Sequence, residues 1–154
     1  MAHEHFASDY FVDAPIDQVF AYFADPDRYA RSSPIITEVS NIRHGRNPQG
    51  QPFYEYESVE ALHVVNLIPY NNPIHVQTTL TEVNRQVVSH VDTRLGVNLD
   101  FVFNLEPENG GTRIHETIDF HMPRLFQSYV VSQAKQVQQA RIQIFKSRLE
   151  PAIV

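Results

Sequence analysis

Two sets of chemically active side chains alternate in one short stretch near the end of the chain, "RIHETIDFHMP", residues 113–123. If this stretch is a strand, successive side chains point to opposite faces of a sheet. One face then carries His115, Asp119 and His121, which are residue types that bind metals. The other face carries Glu116 within a row of apolar side chains. A carboxyl group buried among apolar neighbours has a raised pKa, so it can act as an acid or a base near neutrality.

The metal interpretation is the weaker of the two. Side chains at positions i and i+2 of a strand lie roughly 7 Å apart, so a compact site needs ligands from adjacent strands in suitable register. His75 and His90 could supply such ligands, but a solvated polar sheet face explains the same pattern. The sequence also lacks a Ser-His-Asp spacing, a phosphate-binding loop and a dinucleotide fingerprint. We therefore predict no metal and no cofactor, and we take Glu116 as the main candidate.

The composition suits one globular domain, which we expect to span residues 1–154. The chain is 42% hydrophobic, and at this length it can bury a core of ordinary size. The formal charge is −6, and residues 1–123 hold all but one of the acidic side chains. Such a balance does not favour nucleic acid as a partner. No cysteine is present, which excludes disulfides and thiolate chemistry.

No segment of the sequence has the pattern of a targeting or membrane-spanning element. The first residues, "MAHEHFASDY", lack the basic start and the apolar run of a signal peptide. No apolar stretch approaches the roughly 20 residues that cross a bilayer. We therefore expect a soluble, cytoplasmic protein without a membrane span.

The pattern along the chain predicts an α+β protein. A strand over residues 5–14 precedes a helix that begins at Pro15 and ends at Asp25-Pro26, and a short helical turn follows. Six strand-like runs occupy residues 36–122, separated by turn-rich segments such as "GRNPQG", "PYNNP" and "PENGG". A long helix without Gly or Pro covers about 124–149. Short links between sequential strands predict a curved, seven-stranded antiparallel sheet wrapped around this helix.

Two segments give the sequence a resemblance to a known superfamily. The segments "VDAPIDQVFAYFADPDRY", residues 12–29, and "GGTRIHETIDF", residues 110–120, resemble the START-like (SRPBCC) proteins. These include the polyketide cyclase/dehydrase and lipid-transport group and the birch-pollen-allergen-like proteins. The resemblance covers nearly the whole chain, and it implies a helix-grip fold with a large ligand cavity between the sheet and the C-terminal helix. The sequence departs from the family at its common tryptophan, since Tyr29 stands near that place and no tryptophan occurs.

Strand alternation predicts which side chains face this cavity. In the strand over residues 51–65 we favour Tyr54, Tyr56, Ser58 and Glu60 inward, because the opposite phase would bury two carboxylates. For other strands, the resemblance to aromatase/cyclase members of the family implies the phase that alternation predicts, since their cavity-lining positions fall on Val76, Thr78, Phe101, Glu116 and Ile118. The predicted ligand-binding residues are Tyr54, Tyr56, Ser58, Val76, Thr78, Leu80, Ser89, Val91, Leu99, Phe101, Phe103, Glu116, Ile118, Phe120, Val137 and Arg141.

Arg141 is the expected charged partner of the inward carboxylates. It lies four residues after Val137, on the helical face that should meet the sheet. A pair with Glu116 or with Glu82 is equally compatible with a structural ion pair and with a positioned charge for an enolate or carboxylate. Glu116, Arg141 and Tyr56 are accordingly the candidate catalytic residues. The link over residues 67–70 is a candidate lid, although simple loop packing explains it as well.

Three functions are compatible with these features. The first is binding, and transport if it occurs, of a hydrophobic small molecule such as a lipid or polyketide. The second is a lyase that resembles the polyketide aromatase/cyclases, in which the cavity acids and bases promote aldol closure and dehydration. The third is a protein-interaction domain that uses the outer sheet face or a helical strip of Val131, Ile142 and Leu149. An oligomer is possible, but no feature of the sequence indicates one.

Overall fold

Seven strands form a single curved sheet, and a long helix lies on its concave side. The computed structural model describes residues 1–64 and 68–151. The sheet is antiparallel with the strand order β1-β7-β6-β5-β4-β3-β2, which confirms the predicted helix-grip architecture. The elements are β1 (Ala2–Val12), α1 (Ile16–Ala24), α2 (Pro26–Ala30), β2 (Ile36–Arg46), β3 (Pro52–Val64), β4 (Ile68–Glu82), β5 (Gln86–Thr93), β6 (Asn98–Glu108), β7 (Gly111–Met122), a 3-10 turn (Arg124–Phe126) and α3 (Gln127–Leu149).

The two short helices begin where the sequence predicts them. Pro15 stands immediately before α1, where its missing N–H leaves no hydrogen bond unmade. The Asp25 side chain accepts hydrogen bonds from the backbone N–H groups of Asp27 and Arg28, and Pro26 occupies the first position of α2. These local contacts end one helix and start the next, which turns the chain back towards the sheet.

An aromatic cluster fills the space between the sheet and the helices at one end of the molecule. Phe23 of α1 contacts Phe103 of β6 and Phe145 of α3, with ring centroids 4.7 and 5.3 Å apart. All three side chains are fully buried. Because this cluster fixes one part of α3 against the sheet, the remaining part of α3 can stand over the concave face and leave space beneath it.

The segment "PYNNP", residues 69–73, is a strand rather than the predicted turn. It belongs to β4, which pairs with β3 from Ile68 onwards, whereas its pairing with β5 begins only at Ile74. This part of β4 therefore has a neighbour on one side alone. Proline lacks the N–H that an interior ladder requires, but it is tolerated at such an edge. The turn prediction is wrong because two prolines locally favour a turn, and the local sequence carries no information on this edge position.

Three further sequence predictions concern the candidate lid, the end of β4 and α3. Leu67 of the candidate lid lies outside the described residues, whereas Pro69 is exposed and Tyr70 is half-buried. The prediction that Glu82 points inward is wrong, because the β4–β5 register shifts after Thr79 and leaves this side chain exposed. Ile142 and Leu149, which belong to the proposed contact strip, are partly buried against the core.

Candidate functional site

A cavity of about 470 Å³ lies between the concave face of the sheet and α3. This volume falls within the range of sites that bind small molecules. Its walls are mainly apolar. The apolar lining residues lie on the sheet, on α3 and on the segments beside them, and they are Ile74, Val76, Val91, Val97, Leu99, Phe101, Ile118, Phe126, Val130, Ala134 and Val137.

The structure brings half of the predicted ligand-binding residues to the cavity wall. These are Tyr56, Val76, Val91, Leu99, Phe101, Ile118, Val137 and Arg141. The others do not line the cavity. Seven are buried behind the wall, namely Tyr54, Ser58, Thr78, Ser89, Phe103, Glu116 and Phe120, and Leu80 is partly buried against the core. Whether the lining residues bind a ligand stays a prediction.

The hydroxyl groups behind the wall have protein partners. Tyr54 donates to the carbonyl oxygen of Phe23 at 2.6 Å, and the hydroxyl oxygens of Thr78 and Ser89 lie 3.0 Å apart. Ser58 donates to the carbonyl oxygen of Glu38. A satisfied buried hydroxyl contributes to folding and has no unmet bond to offer a ligand. Alternation predicts the face of a strand, but it cannot distinguish these positions from those on the cavity wall.

Arg141 and Glu116 form a buried ion pair. Nη2 of Arg141 donates to Oε1 of Glu116 at 2.5 Å, Nε2 of Gln138 donates to Oε2 at 2.5 Å, and the Tyr10 hydroxyl donates to Oε1 at 3.3 Å. We call these four residues the Arg141 cluster. Of the two carboxylates that the sequence offered as partners of Arg141, the structure therefore brings Glu116 to it and leaves Glu82 in solvent.

Within the Arg141 cluster, the arginine and glutamine line the cavity, whereas the carboxylate does not. Glu116 is fully buried and both of its oxygens accept hydrogen bonds. The Arg141 guanidinium lies 5.1 Å from the ring centre of Phe101, a favourable cation–π distance. Glu116 therefore holds the orientation of the guanidinium, and Arg141 presents it to the cavity.

The charges and phenols of this region have shifted pKa values. Burial opposes the charge of Arg141, but the Glu116 carboxylate and the nearby phenols outweigh burial, so the pKa of Arg141 lies above its ordinary value. Burial raises the pKa of the Tyr29 and Tyr56 phenols. Both phenols line the cavity, where they remain neutral near physiological pH. The cavity thus offers one positive charge, at Arg141, and neutral phenol donors.

A second polar group lines the cavity where β3 meets β4. Glu60 and Asn72 are directly opposite each other in the β3–β4 pairing, and Nδ2 of Asn72 donates to Oε1 of Glu60 at 3.1 Å. We call them the Glu60–Asn72 pair. Burial raises the pKa of Glu60 to about 7, although the hydrogen bond from Asn72 opposes this rise. Alternation placed Glu60 inward, but the register that brings Asn72 beside it is absent from the sequence pattern.

The buried side-chain atoms without a hydrogen-bond partner in the described part of the chain are Ser33 Oγ, Asn72 Oδ1 and Arg141 Nε. All three residues line the cavity. Buried polar groups in folded proteins are nearly always satisfied. The occurrence of all three unsatisfied atoms in residues of one cavity therefore distinguishes this cavity from the rest of the described interior. Sequence reasoning missed Ser33, Asn72, Tyr29 and Gln138, because they lie on a loop, an unpredicted strand extension and helices that strand alternation does not address.

On the outer face of the sheet, away from the cavity, the histidine side chains contact carboxylates. Nε2 of His3 and Nδ1 of His5 lie 3.0 and 2.9 Å from Oδ1 of Asp119. His90 and His115 contact Asp100 and Asp9 in the same manner. Over residues 1–64 and 68–151, no group of three or more metal-binding side chains has an arrangement that could hold an ion. Within the same residues, no helix is long and apolar enough to cross a membrane.

Comparison with solved structures supports the fold over nearly the whole chain. The Zhui aromatase/cyclase from Streptomyces sp. R1128 is 15% identical and superposes with a TM-score of 0.77, covering 97% of this chain and 94% of that one. A START superfamily protein from Mycobacterium smegmatis is 14% identical with a TM-score of 0.69, covering 97% and 98%. At these identities the likeness concerns the fold alone.

Comparison with curated proteins finds no significant match. A family model does match, over residues 3–150, and its description is polyketide cyclase / dehydrase and lipid transport. This match covers the first strand, the two short helices, the whole sheet and α3. The chain therefore belongs to the polyketide cyclase/dehydrase and lipid-transport family.

Proposed function

We propose that this protein binds an apolar small molecule with a polar end in the cavity beneath α3. The observation that carries this proposal is the location of the unpartnered buried atoms. Ser33 Oγ, Asn72 Oδ1 and Arg141 Nε lack a partner in the described part of the chain, and their residues line a cavity with mainly apolar walls. An unsatisfied buried polar group costs about 1–3 kcal/mol. A mostly apolar ligand buries its surface against the apolar walls, and its polar atoms form hydrogen bonds with the unsatisfied groups.

Arg141 selects the chemistry of the polar end. A guanidinium that stays charged in an apolar cavity favours a carboxylate, an enolate or a carbonyl oxygen. Glu116 keeps the guanidinium in place through a bond to one terminal nitrogen, so Nε can still donate. Tyr29 and Tyr56 add neutral donors along the wall. These features favour an acidic or oxygen-rich apolar compound, such as a fatty acid or a polyketide.

Catalysis of the aromatase/cyclase type is the second candidate. One observation favours it, namely that a positive charge and neutral phenols surround an apolar space, since such donors stabilise an enolate. Aldol closure also needs a base that removes a proton from the carbon next to the carbonyl group and so forms the enolate. Glu116 is poorly suited to that role, because its oxygens are occupied by Arg141, Gln138 and Tyr10. Binding is therefore the better-supported function.

Calorimetric titration with dodecanoic acid and with its methyl ester tests the proposal. We expect saturable one-to-one binding of the acid, with a negative heat-capacity change because apolar surface is buried. The ester should bind at least about tenfold more weakly, since it lacks the charge that Arg141 favours and a charged hydrogen bond is worth about 1.5–3 kcal/mol. Absence of binding by the acid, with no apolar compound extractable from the denatured purified protein, would contradict the proposal.

A paired variant identifies the group that binds the acid. Glu116→Gln combined with Arg141→Met removes both charges, so neither is left buried alone. It should lose the preference for the acid over the ester. The matched control is Arg124→Met, which removes an exposed arginine that does not line the cavity. An unchanged preference in the paired variant would remove Arg141 from the binding site.

A further inference from the structure

The Glu60–Asn72 pair is a polar site that the Arg141 cluster does not explain. Both residues line the cavity. Asn72 is 3% exposed, and its Oδ1 has no partner in the described part of the chain. Its Nδ2 contacts Glu60. A buried amide of which one atom is unpaired has a cost in stability. The contact with Glu60 accounts for the Nδ2 end of this amide, whereas no contact within the described residues accounts for Oδ1.

Glu60 has a correspondingly incomplete environment. It lies on β3, opposite Ile36 of β2 and opposite Asn72 of β4. Asn72 is its hydrogen-bond partner in the described residues. Its pKa of about 7 means that near neutrality a large fraction of the molecules carry a neutral carboxylic acid, which can donate as well as accept. Burial, followed by the charge of Glu60, raises the pKa of the Tyr129 phenol, and Tyr129 at the start of α3 lines the same cavity as the pair.

Two backbone distances separate the pair from the Arg141 cluster. Along α3, Tyr129 and Arg141 are twelve residues apart, which is about 18 Å at the rise of an α-helix. Along β4, Asn72 is six residues from Thr78, about 20 Å at the rise of a strand. Thr78 lies opposite Ser89, which lies opposite Phe101 beneath the guanidinium. The cavity therefore has a polar site at each end of a mainly apolar wall.

We infer that the Glu60–Asn72 pair binds a hydroxyl group at the far end of an elongated apolar ligand whose other end carries a carboxylate or carbonyl at Arg141. A hydroxyl fits because its O–H donates to Oδ1 of Asn72 while its oxygen accepts from a neutral Glu60. If the amide of Asn72 is turned over, the unpaired atom becomes a donor, and a hydroxyl oxygen satisfies that as well. The inference rests on the proposed function and adds the ligand's second polar group.

The test compares dodecanoic acid with its ω-hydroxy derivative by calorimetry at pH 6. The two probes differ in one hydroxyl group. With the wild-type protein we expect the hydroxy acid to bind about 3- to 10-fold more tightly, as a net hydrogen bond implies. In Asn72→Leu this preference should vanish or reverse, while the affinity for dodecanoic acid stays within about twofold. The matched control, Asn71→Leu, alters the adjacent exposed amide and should keep the wild-type preference.

Thermal unfolding of the unliganded proteins separates recognition from a structural role. Asn72→Leu removes the unpaired Oδ1 but also the hydrogen bond to Glu60. These two effects on stability have opposite signs, so its Tm should stay close to that of the wild type at pH 6, where Glu60 is mostly neutral. A Tm lower by several degrees would assign Asn72 to folding and overturn the inference. An equal affinity of the wild type for both probes would overturn it too, and would indicate that water alone serves the pair. If the wild-type protein binds neither probe, the proposed function is overturned as well.

Discussion

Glu116 and Glu60 both point from the sheet towards α3, yet their surroundings differ completely. Glu116 lies on β7, inside the sheet, where Arg141, Gln138 and Tyr10 donate to its oxygens. Glu60 lies near the sheet edge and accepts from the neutral amide of Asn72. A carboxylate with a full set of charged and neutral donors acts as a structural support. One with a single neutral donor can titrate and can still bind.

The largest difference should appear when Arg141 alone is changed. Arg141→Met leaves the Glu116 carboxylate buried without its charged partner, so the free energy of unfolding should fall by about 3–5 kcal/mol. Urea denaturation measures this change. Adding Glu116→Gln to Arg141→Met should recover most of the loss. If Arg141→Met is as stable as the wild type, Glu116 does not depend on Arg141 and is not a structural support.

Glu60 should give a smaller effect that depends on pH. Its pKa in the folded protein, about 7, exceeds the ordinary value of 4.5, so the folded state binds the proton more tightly than the unfolded chain. The extra stability is present below pH 4.5 and is lost as pH rises through about 7. Its upper bound is about 3 kcal/mol, and the partial exposure of Glu60 reduces it.

The measurement for Glu60 is urea denaturation from pH 4 to pH 8 of the wild type and of Glu60→Gln. The stability of the wild type relative to the variant should decline across this range. Glu57→Gln is the matched control, because Glu57 lies on the same strand with an exposed side chain. A constant difference between the wild type and Glu60→Gln would mean that Glu60 has an ordinary environment and would break the contrast with Glu116.

The smallest effect is expected for a carboxylate on the outer face. His5 and His3 donate to Asp119 and lower its pKa, but all three side chains are substantially exposed. Exposed ion pairs contribute about 0–1 kcal/mol. Asp119→Asn should therefore change the free energy of unfolding by less than about 1 kcal/mol near pH 6, as measured by urea denaturation. A change above about 2 kcal/mol would show that the outer face has a structural role like that of Glu116.

These contrasts also explain how much the sequence could predict. Apart from Glu82 at the end of β4, the period of two residues predicted the inward rows of β3 to β7, so the inward orientation of Glu116 and Glu60 followed from their apolar neighbours. Helical spacing placed Arg141 on the face of α3 that meets the sheet. Both inferences depend on local periodicity alone, which is why they agree with the structure.

The sequence pattern does not predict the register in which neighbouring strands pair. Alternation alone gave Glu116 and Glu82 the same standing as partners of Arg141, and only the register shift in β4 exposes Glu82. The Glu60–Asn72 pair depends on an extension of β4 through two prolines, which locally predict a turn. Which inward residues reach the cavity depends on how far α3 stands from the sheet, and this distance is set by the aromatic cluster around Phe23.

Matched tryptophan substitutions show whether a ligand binds in the cavity beneath α3. Ala134 lines the cavity, whereas Ser132 is exposed on the same helix. Calorimetric titration with dodecanoic acid should show at least about a tenfold loss of affinity in Ala134→Trp, since the indole occupies the ligand's space and would have to be displaced. Ser132→Trp should bind like the wild type. If Ala134→Trp folds and binds dodecanoic acid with wild-type affinity, the ligand does not enter this cavity and the account is wrong.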